Sequence, residues 1–155
     1  FNLTDIHAAI GLHQLPRLDD WIERRAQLWA RYDALLADLP LLTPAPWPAR
    51  IRHARHLYSV LLGDDAPLSR DDLLDHLVKR RIGAGVHYLA VHKHPYYRDR
   101  YAIVDNDLPV ASDMSQRTVS LPLSPKITEA DQDDVVHALR VALARYPGWG
   151  SKRAR

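Results

Sequence analysis

Between residues 17 and 39 the chain carries Leu18, Trp21, Ile22, Leu28, Trp29, Tyr32, Leu35, Leu36 and Leu39, largely at spacings of three and four. Residues spaced in this way share one face of an α-helix, so the segment reads as one long amphipathic helix. "ERR", Gln27, Arg31 and Asp33 fill the opposite face. A stripe this long and this aromatic needs a large apolar counterpart. Two outcomes satisfy it: an ordinary core helix, or a helix that packs in part against another domain or subunit. Periodicity does not separate them. In the second outcome the chain alone self-associates through the part left uncovered.

The flanks extend this reading. Residues 4 to 15 form a first helix, with Thr4 as cap, Asp5 at the positive end, and Ile6, Ala9, Ile10 and His13 on one face. Pro16 forces a kink or restart, because a proline removes one helical hydrogen bond and clashes with the preceding turn. Pro40, Pro44, Pro46 and Pro48 make the next stretch a rigid extended connector. "HLYSVLL", 56–62, is a strand. Ser69 caps a helix reaching Arg81, with acids at its start, "KRR" at its end and Gly83 as its stop. "AGVHYL" is then a second strand, completing a strand–helix–strand unit. Asp107, Leu108 and Pro109 open a helix to about Thr118. "VSLPLSP" is extended, and its prolines confine it to an edge or a loop. Thr128 with Asp131 makes a capping box for the last helix, where Val135, Val136, Leu139 and Leu143 face inward and "YPG" ends it. The fold class is α/β, two layers, with a few strands, helices on one side and a long leading helix. Its parts are the helical region 1–39, kinked near Pro16, an α/β domain 40–146 and a basic tail 147–155.

Composition narrows the chemistry. The chain has 155 residues and a net charge of only +2, so charge alone does not point to nucleic acid. It has no cysteine, which removes disulfides, thiolate metal sites and cysteine nucleophiles together. This is compatible with a reducing, cytoplasmic setting. No apolar run approaches the roughly 20 residues of a membrane span. The sequence opens on Phe1 rather than Met, directly before a helical pattern, and so reads as a piece of a longer chain.

The richest stretch is "GAGVHYLAVHKHPYYRDRY", 83–101, with three histidines and four tyrosines behind Gly83 and Gly85. A metal site is a poor fit. His92 and His94 are two apart, Pro95 stiffens the segment directly after His94, and no acid appears before Asp99. Ser59, Ser112, Ser115, Ser120 and Ser124 lie in no nucleophile elbow. No phosphate-binding loop or dinucleotide fingerprint is present. A ligand-binding wall fits better. The glycines allow tight backbone turns and deliver His87 and Tyr88 to a strand end, where they can hydrogen-bond a phosphate or hydroxyl while their rings cover apolar surface. Tyr96, Tyr97 and Arg98 come next on a segment that can close over a ligand, and arginine suits phosphate. A solvated polar loop is the plainer alternative.

Four segments together carry a resemblance. "FNLTDIHAAIGLHQLPRLDDWIERRAQLWARYDALL", "HARHLYSVLL", "RIGAGVHYLAVHKHPYYRDR" and "LPVASDMSQRTVSLPLSPKITEADQDDVVHAL" resemble, in order, the C-terminal part of the DegT/DnrJ/EryC1/StrS family. These are pyridoxal-phosphate-dependent sugar aminotransferases of aspartate-aminotransferase type, fold type I. The likeness runs from residue 1 to about 144. It implies that the chain is that family's small domain with its leading helix. It implies transfer of an amino group from glutamate to a keto sugar nucleotide, by a homodimer whose active sites use both subunits. It places His87 and Tyr88 beside the nucleotide sugar, with Asn2 as a weaker candidate near the cofactor phosphate.

The departure is equally plain. Transamination needs a lysine that forms a Schiff base. Lys79, Lys93, Lys126 and Lys152 lie outside the family's lysine motif. By the resemblance, the catalytic lysine belongs to an N-terminal large domain absent from this sequence, and the isolated chain is expected to be inactive. The alternative from another class is a non-enzymatic module that binds sugar nucleotide or complements a separate large-domain chain.

Overall fold

The computed structural model describes residues 2–144. Phe1 and residues 145–155 lie outside the described residues. So therefore do the "YPG" stop, the basic tail and Lys152.

Helix α1 spans Asp5–Gln14, and Thr4 Oγ1 accepts a hydrogen bond from the His7 amide. None of its residues is buried, and Ile6, Ile10 and Leu12 stand in solvent. Pro16 sits in a 3₁₀ turn, Leu15–Arg17, where its missing amide leaves no gap in an α-helical ladder. Helix α2 then runs Leu18–Leu35. Its apolar stripe divides. Leu18 is exposed and Trp21 and Ile22 half-buried, whereas Leu28, Trp29 and Tyr32, with Leu36 and Leu39 beyond the helix, are buried.

The partner of that buried half is a three-stranded antiparallel sheet in the order β1 (Leu41–Leu42), β2 (Tyr58–Leu62), β3 (Thr118–Leu121). Tyr58 pairs with Leu121 and Val60 with Val119, so the alternation of side chains sends these four to one core face. On the other face Ser59 and Ser120 share a 2.6 Å hydrogen bond. Helices α3 (Arg70–Lys79) and α6 (Glu129–Leu143) join α2 in the same core through Leu73, Leu77, Val135, Val136, Leu139 and Leu143. The two-layer α/β fold is therefore present. Between β1 and β2 the proline-rich connector is held by rings. Trp47 meets Trp29 edge-on at 5.6 Å and stacks on His53 at 4.3 Å, with the Arg55 guanidinium 5.0 Å over it.

Three expectations need correction. "AGVHYL" is not a strand, and the strand–helix–strand unit does not form. Only Gly85 pairs, with Ser120. Strand β3 is four residues long, preceded directly by a helix and followed by Pro122, so little ladder remains for a fourth strand. The stop after α3 is also not Gly83. Arg81 takes the left-handed position at φ 60°, while its amide bonds Val78 and that of Ile82 bonds Leu77, a Schellman closure. Neither Gly83 nor Gly85 uses a left-handed φ, so neither makes the turn foreseen for it. Two capping boxes are in place, Ser69 with Asp72 and Thr128 with Asp131. The remaining helices are α4, Pro95–Tyr101, and α5, Pro109–Arg117.

This packing makes two stability outcomes measurable. Leu139, fully buried at the meeting of α6 with the sheet, loses a core-filling side chain in Leu139→Ala; urea unfolding should show a loss of about 2–5 kcal/mol. Arg81→Gly relieves a left-handed L-residue and should raise stability by up to about 1 kcal/mol in the same assay; a loss instead would mean the arginine side chain holds the turn.

Candidate functional site

The chain leaves the sheet edge at Gly85, whose amide donates to Ser120 at 3.1 Å and whose carbonyl accepts from it at 2.8 Å. The His87 ring folds back over that glycine. A Cβ at position 85 would lie 3.3 Å from His87 Cε1, so glycine serves here as room for a ring rather than as a turn. The His87–Tyr88 peptide is cis, and the two rings meet edge-on at 4.9 Å. His87 is half-buried, and its Nδ1 is buried without a hydrogen-bond partner among the described residues. Tyr88 is 72% exposed. The pair thus presents one unsatisfied ring nitrogen beneath one free phenol.

Tyr96, Tyr97 and Arg98 occupy the first turns of α4, where Pro95 fills the position that needs no amide donor. All three are exposed. Tyr96 and Tyr97 meet at right angles at 5.2 Å, Tyr97 stacks on Tyr101 at 6.3 Å, and the Arg98 Nε donates to Asp99 at 2.9 Å. The histidine–tyrosine pair and the α4 group each form a cluster, but no hydrogen bond or ring contact joins them among the described residues. Asn2 is exposed in the segment before α1 and bonds to none of them. Concavities of about 540 Å³ beside Gly63, Arg70 and Arg117, and of about 640 Å³ beside Arg81, Lys126 and His137, lie elsewhere and include none of these side chains.

Sequence reasoning missed the residues that hold this region. His92, read as part of a solvated or ligand-binding loop, is 4% exposed. Its Nε2 lies 2.9 Å from Ser112 Oγ and 3.2 Å from Asp105 Oδ1. The Ser112 hydroxyl is 3.2 Å from both the carbonyl oxygen and Oδ1 of Asp105. Lys93 Nζ reaches Asp105 Oδ2 at 3.1 Å. Hydrogen bonds from Lys93, and then His92, hold the Asp105 carboxyl below its ordinary range. Three residues along α5, Ser115 Oγ accepts the Ala90 amide at 2.8 Å. The only trace in the sequence is the spacing of Ser112 and Ser115, which share a helix face with no apolar residue between them on it.

No described lysine suits a Schiff base. Lys79 and Lys126 are exposed on the surface, and Lys93 is engaged by Asp105. Lys126 and Lys79 line surface concavities that also carry Asp131 with Asp134, and Asp72 with Asp75, but both lie apart from the 87–98 segment and include none of its side chains. Within the 87–98 segment the one lysine, Lys93, is paired with Asp105, so that segment offers no free amine to anchor pyridoxal phosphate. Among the described residues no three His, Asp or Glu side chains are grouped to hold a metal ion. Nor is any described helix long and apolar enough to cross a membrane.

Comparison with known proteins places this geometry among relatives. The spore coat polysaccharide biosynthesis protein SpsC of Bacillus subtilis is 39% identical over 142 residues, covering 90% of this chain and 36% of its own length. The putative sugar aminotransferase Spr1654 of Streptococcus pneumoniae superposes with a TM-score of 0.84 at 25% identity, over 92% of this chain and 36% of that one, and has been solved in apo, pyridoxal phosphate and pyridoxamine phosphate forms. DesV of S. venezuelae superposes with a TM-score of 0.82 at 31% identity, over 94% of this chain and 38% of its own. The chain therefore spans little more than a third of the proteins it resembles. The architecture is that of the corresponding third of fold type I sugar aminotransferases. Residues 1–140 match the DegT/DnrJ/EryC1/StrS aminotransferase family, and the chain belongs to that family.

Proposed function

We propose that this chain is the C-terminal part of a pyridoxal-phosphate-dependent sugar aminotransferase, and that its 87–98 region supplies the substrate-side wall of the active site. The observation that carries the reading is coverage. Nine-tenths of the chain aligns with about a third of relatives that include a sugar aminotransferase solved with pyridoxal phosphate and pyridoxamine phosphate. The cofactor serves the full-length enzyme, and an N-terminal large domain supplies the lysine that holds it. The amino donor is glutamate, and the acceptor is the keto group of a nucleotide-linked sugar. The enzyme works in the cytoplasm as a homodimer. The chain alone is catalytically silent, because no described lysine is placed for the chemistry.

Within that reading the residues have distinct tasks. His87 offers a partnerless ring nitrogen and Tyr88 a free hydroxyl to sugar or phosphate oxygens. Tyr96 and Tyr97 offer ring surface to a base or sugar, and Arg98 a guanidinium to phosphate once it leaves Asp99. Asn2, exposed ahead of α1, is assigned to the cofactor phosphate in the full-length enzyme.

Two measurements test this. Pyridoxal phosphate mixed with the chain and reduced with borohydride should give no one-to-one adduct at a single lysine by mass spectrometry. A stoichiometric adduct at Lys79, Lys93, Lys126 or Lys152 would mean that this chain holds the cofactor. Uridine and thymidine diphosphate hexoses, added at millimolar concentration, should shift the NMR signals of His87, Tyr88 and Tyr96 to Arg98. His87→Ala should weaken those shifts about tenfold, the scale of one lost hydrogen bond. Shifts centred elsewhere, or none, would remove this segment from the substrate site.

A further inference from the structure

Helix α5 is built inside out. Its buried residues are Ser112 and Ser115, while Val110 and Met114 face solvent. A short helix normally turns its apolar side inward, since burying hydroxyls costs free energy unless each finds a partner. Here each does. Ser115 takes the Ala90 amide, and Ser112 bonds His92 and Asp105. Ala90 and His92 belong to the excursion that begins after the His87–Tyr88 pair and leads into α4, and Asp105 to the stretch that follows α4. A second anchor closes the far side, where Lys93 pairs with Asp105 and the Val104 amide bonds Asp107 at 3.0 Å. The α4 segment between these ties has no buried residue of its own. Apolar packing therefore does not set its position.

We propose that Ser112, His92 and Asp105 are positioning residues: a polar clip, buried at Ser112 and His92 and capped at the surface by Asp105, that ties the excursion to α5 and fixes where α4 presents Tyr96, Tyr97 and Arg98. The direction of the bonds is consistent. With the proton on Nε2, the imidazole donates to the hydroxyl, and the hydroxyl donates to Asp105. Such a chain is stiff where His92 and Ser112 are buried, because breaking their link strands polar atoms away from water. The clip thus holds both ends of the excursion, Ala90 to Lys93 and Asp105 to Ser112, while the tyrosine-bearing helix between them stays free to meet a ligand. The consequence for ligand binding rests on the reading of α4 as a substrate wall; the mechanical consequence does not.

Amide hydrogen exchange on the whole chain tests the clip without any ligand. Ser112→Ala should speed exchange of residues 95–101 and 105–108 by roughly tenfold, the size expected for one buried hydrogen bond, and leave the Tyr58–Leu62 ladder unchanged. Ser112→Thr, which keeps the hydroxyl, should restore slow exchange. Asp105→Asn, which keeps the shape and removes the Lys93 charge pair, should fall between them. Exchange that accelerates equally in the β2 ladder, or stays unchanged in 95–101, overturns the proposal. Repeating the nucleotide-diphosphate hexose titration on Ser112→Ala separates the two ideas. Faster local exchange with weakened Tyr96 to Arg98 shifts supports both. Faster local exchange with wild-type titration keeps the clip and removes α4 from the substrate site.

Discussion

Two phenols, Tyr32 on α2 and Tyr58 on β2, lie fully buried with ring centroids 4.9 Å apart, and most of the architecture can be traced from them. A buried hydroxyl without a partner is costly, so each ring fixes a neighbour as well as filling space. Tyr32 donates to the Pro122 carbonyl at 3.0 Å, which ties the end of β3 to α2. Tyr58 donates to Asp33 at 2.6 Å, which ties β2 to the outer side of the same helix. Burial pushes both phenols above their ordinary ionisation, so both remain donors at any physiological pH. Between them the two bonds set the height and rotation of α2 over the sheet. Leu28 and Trp29 then fall into the core, and α6 closes the layer, with Gln132 Nε2 donating 2.9 Å to the Leu28 carbonyl.

The candidate site obeys a different rule from the core. Residues 88–114 carry Tyr88, Tyr96, Tyr97, Tyr101, Val110 and Met114 outward. Their buried side chains are polar: His92 and Ser112, with Ser115 just beyond. A segment organised in this way gains little from the hydrophobic effect and depends on hydrogen-bond geometry for its shape. Its outward rings, like the apolar face of α1, suit surfaces that meet other polypeptide or ligand in a longer enzyme. That matches a chain covering about a third of its relatives. The large domain, the cofactor lysine and the second subunit belong to the proposal for the whole protein, and the pocket wall is the contribution of this third to it.

Where sequence reasoning succeeded, the signal was local and repeated. The Ser69 cap and the Thr128–Asp131 capping box are readable in a few neighbouring residues, and both formed, with Asp72 completing a box at Ser69 as well. The strand at 58–62 is bounded and β-rich, and it lies in the sheet. It failed where the deciding contact came from far along the chain. "AGVHYL" has strand composition, but a strand needs a ladder, and β3 had only Ser120 to offer. Gly83 is a better helix stop by residue type than Arg81, yet Leu77 and Ile82 close the turn two residues earlier, with Arg81 in the left-handed position. His92 is indistinguishable in sequence from His87 and His94. One is a buried strut, one a half-buried ring with a partnerless nitrogen, and one an exposed side chain.

The sequence by itself therefore determined the longer helices and the N-terminal caps at Thr4, Ser69 and Thr128, the α/β class, and the family, because periodicity, capping and ordered motifs are written in neighbouring residues. It also put the histidine–tyrosine pair just ahead of the tyrosines of α4, though it read the pair as the end of a strand. Tertiary structure alone decided which half of the 17–39 stripe is core and which side chains in the excursion are struts rather than ligand contacts. It also decided that Gly85 is small to admit a ring, not to make a turn. Those outcomes depend on Ser112, Ser115, Ser120 and the two buried tyrosines, which reach their partners across 20 to 90 residues of chain. Contacts at that separation arise from how layers pack, and no local pattern encodes them.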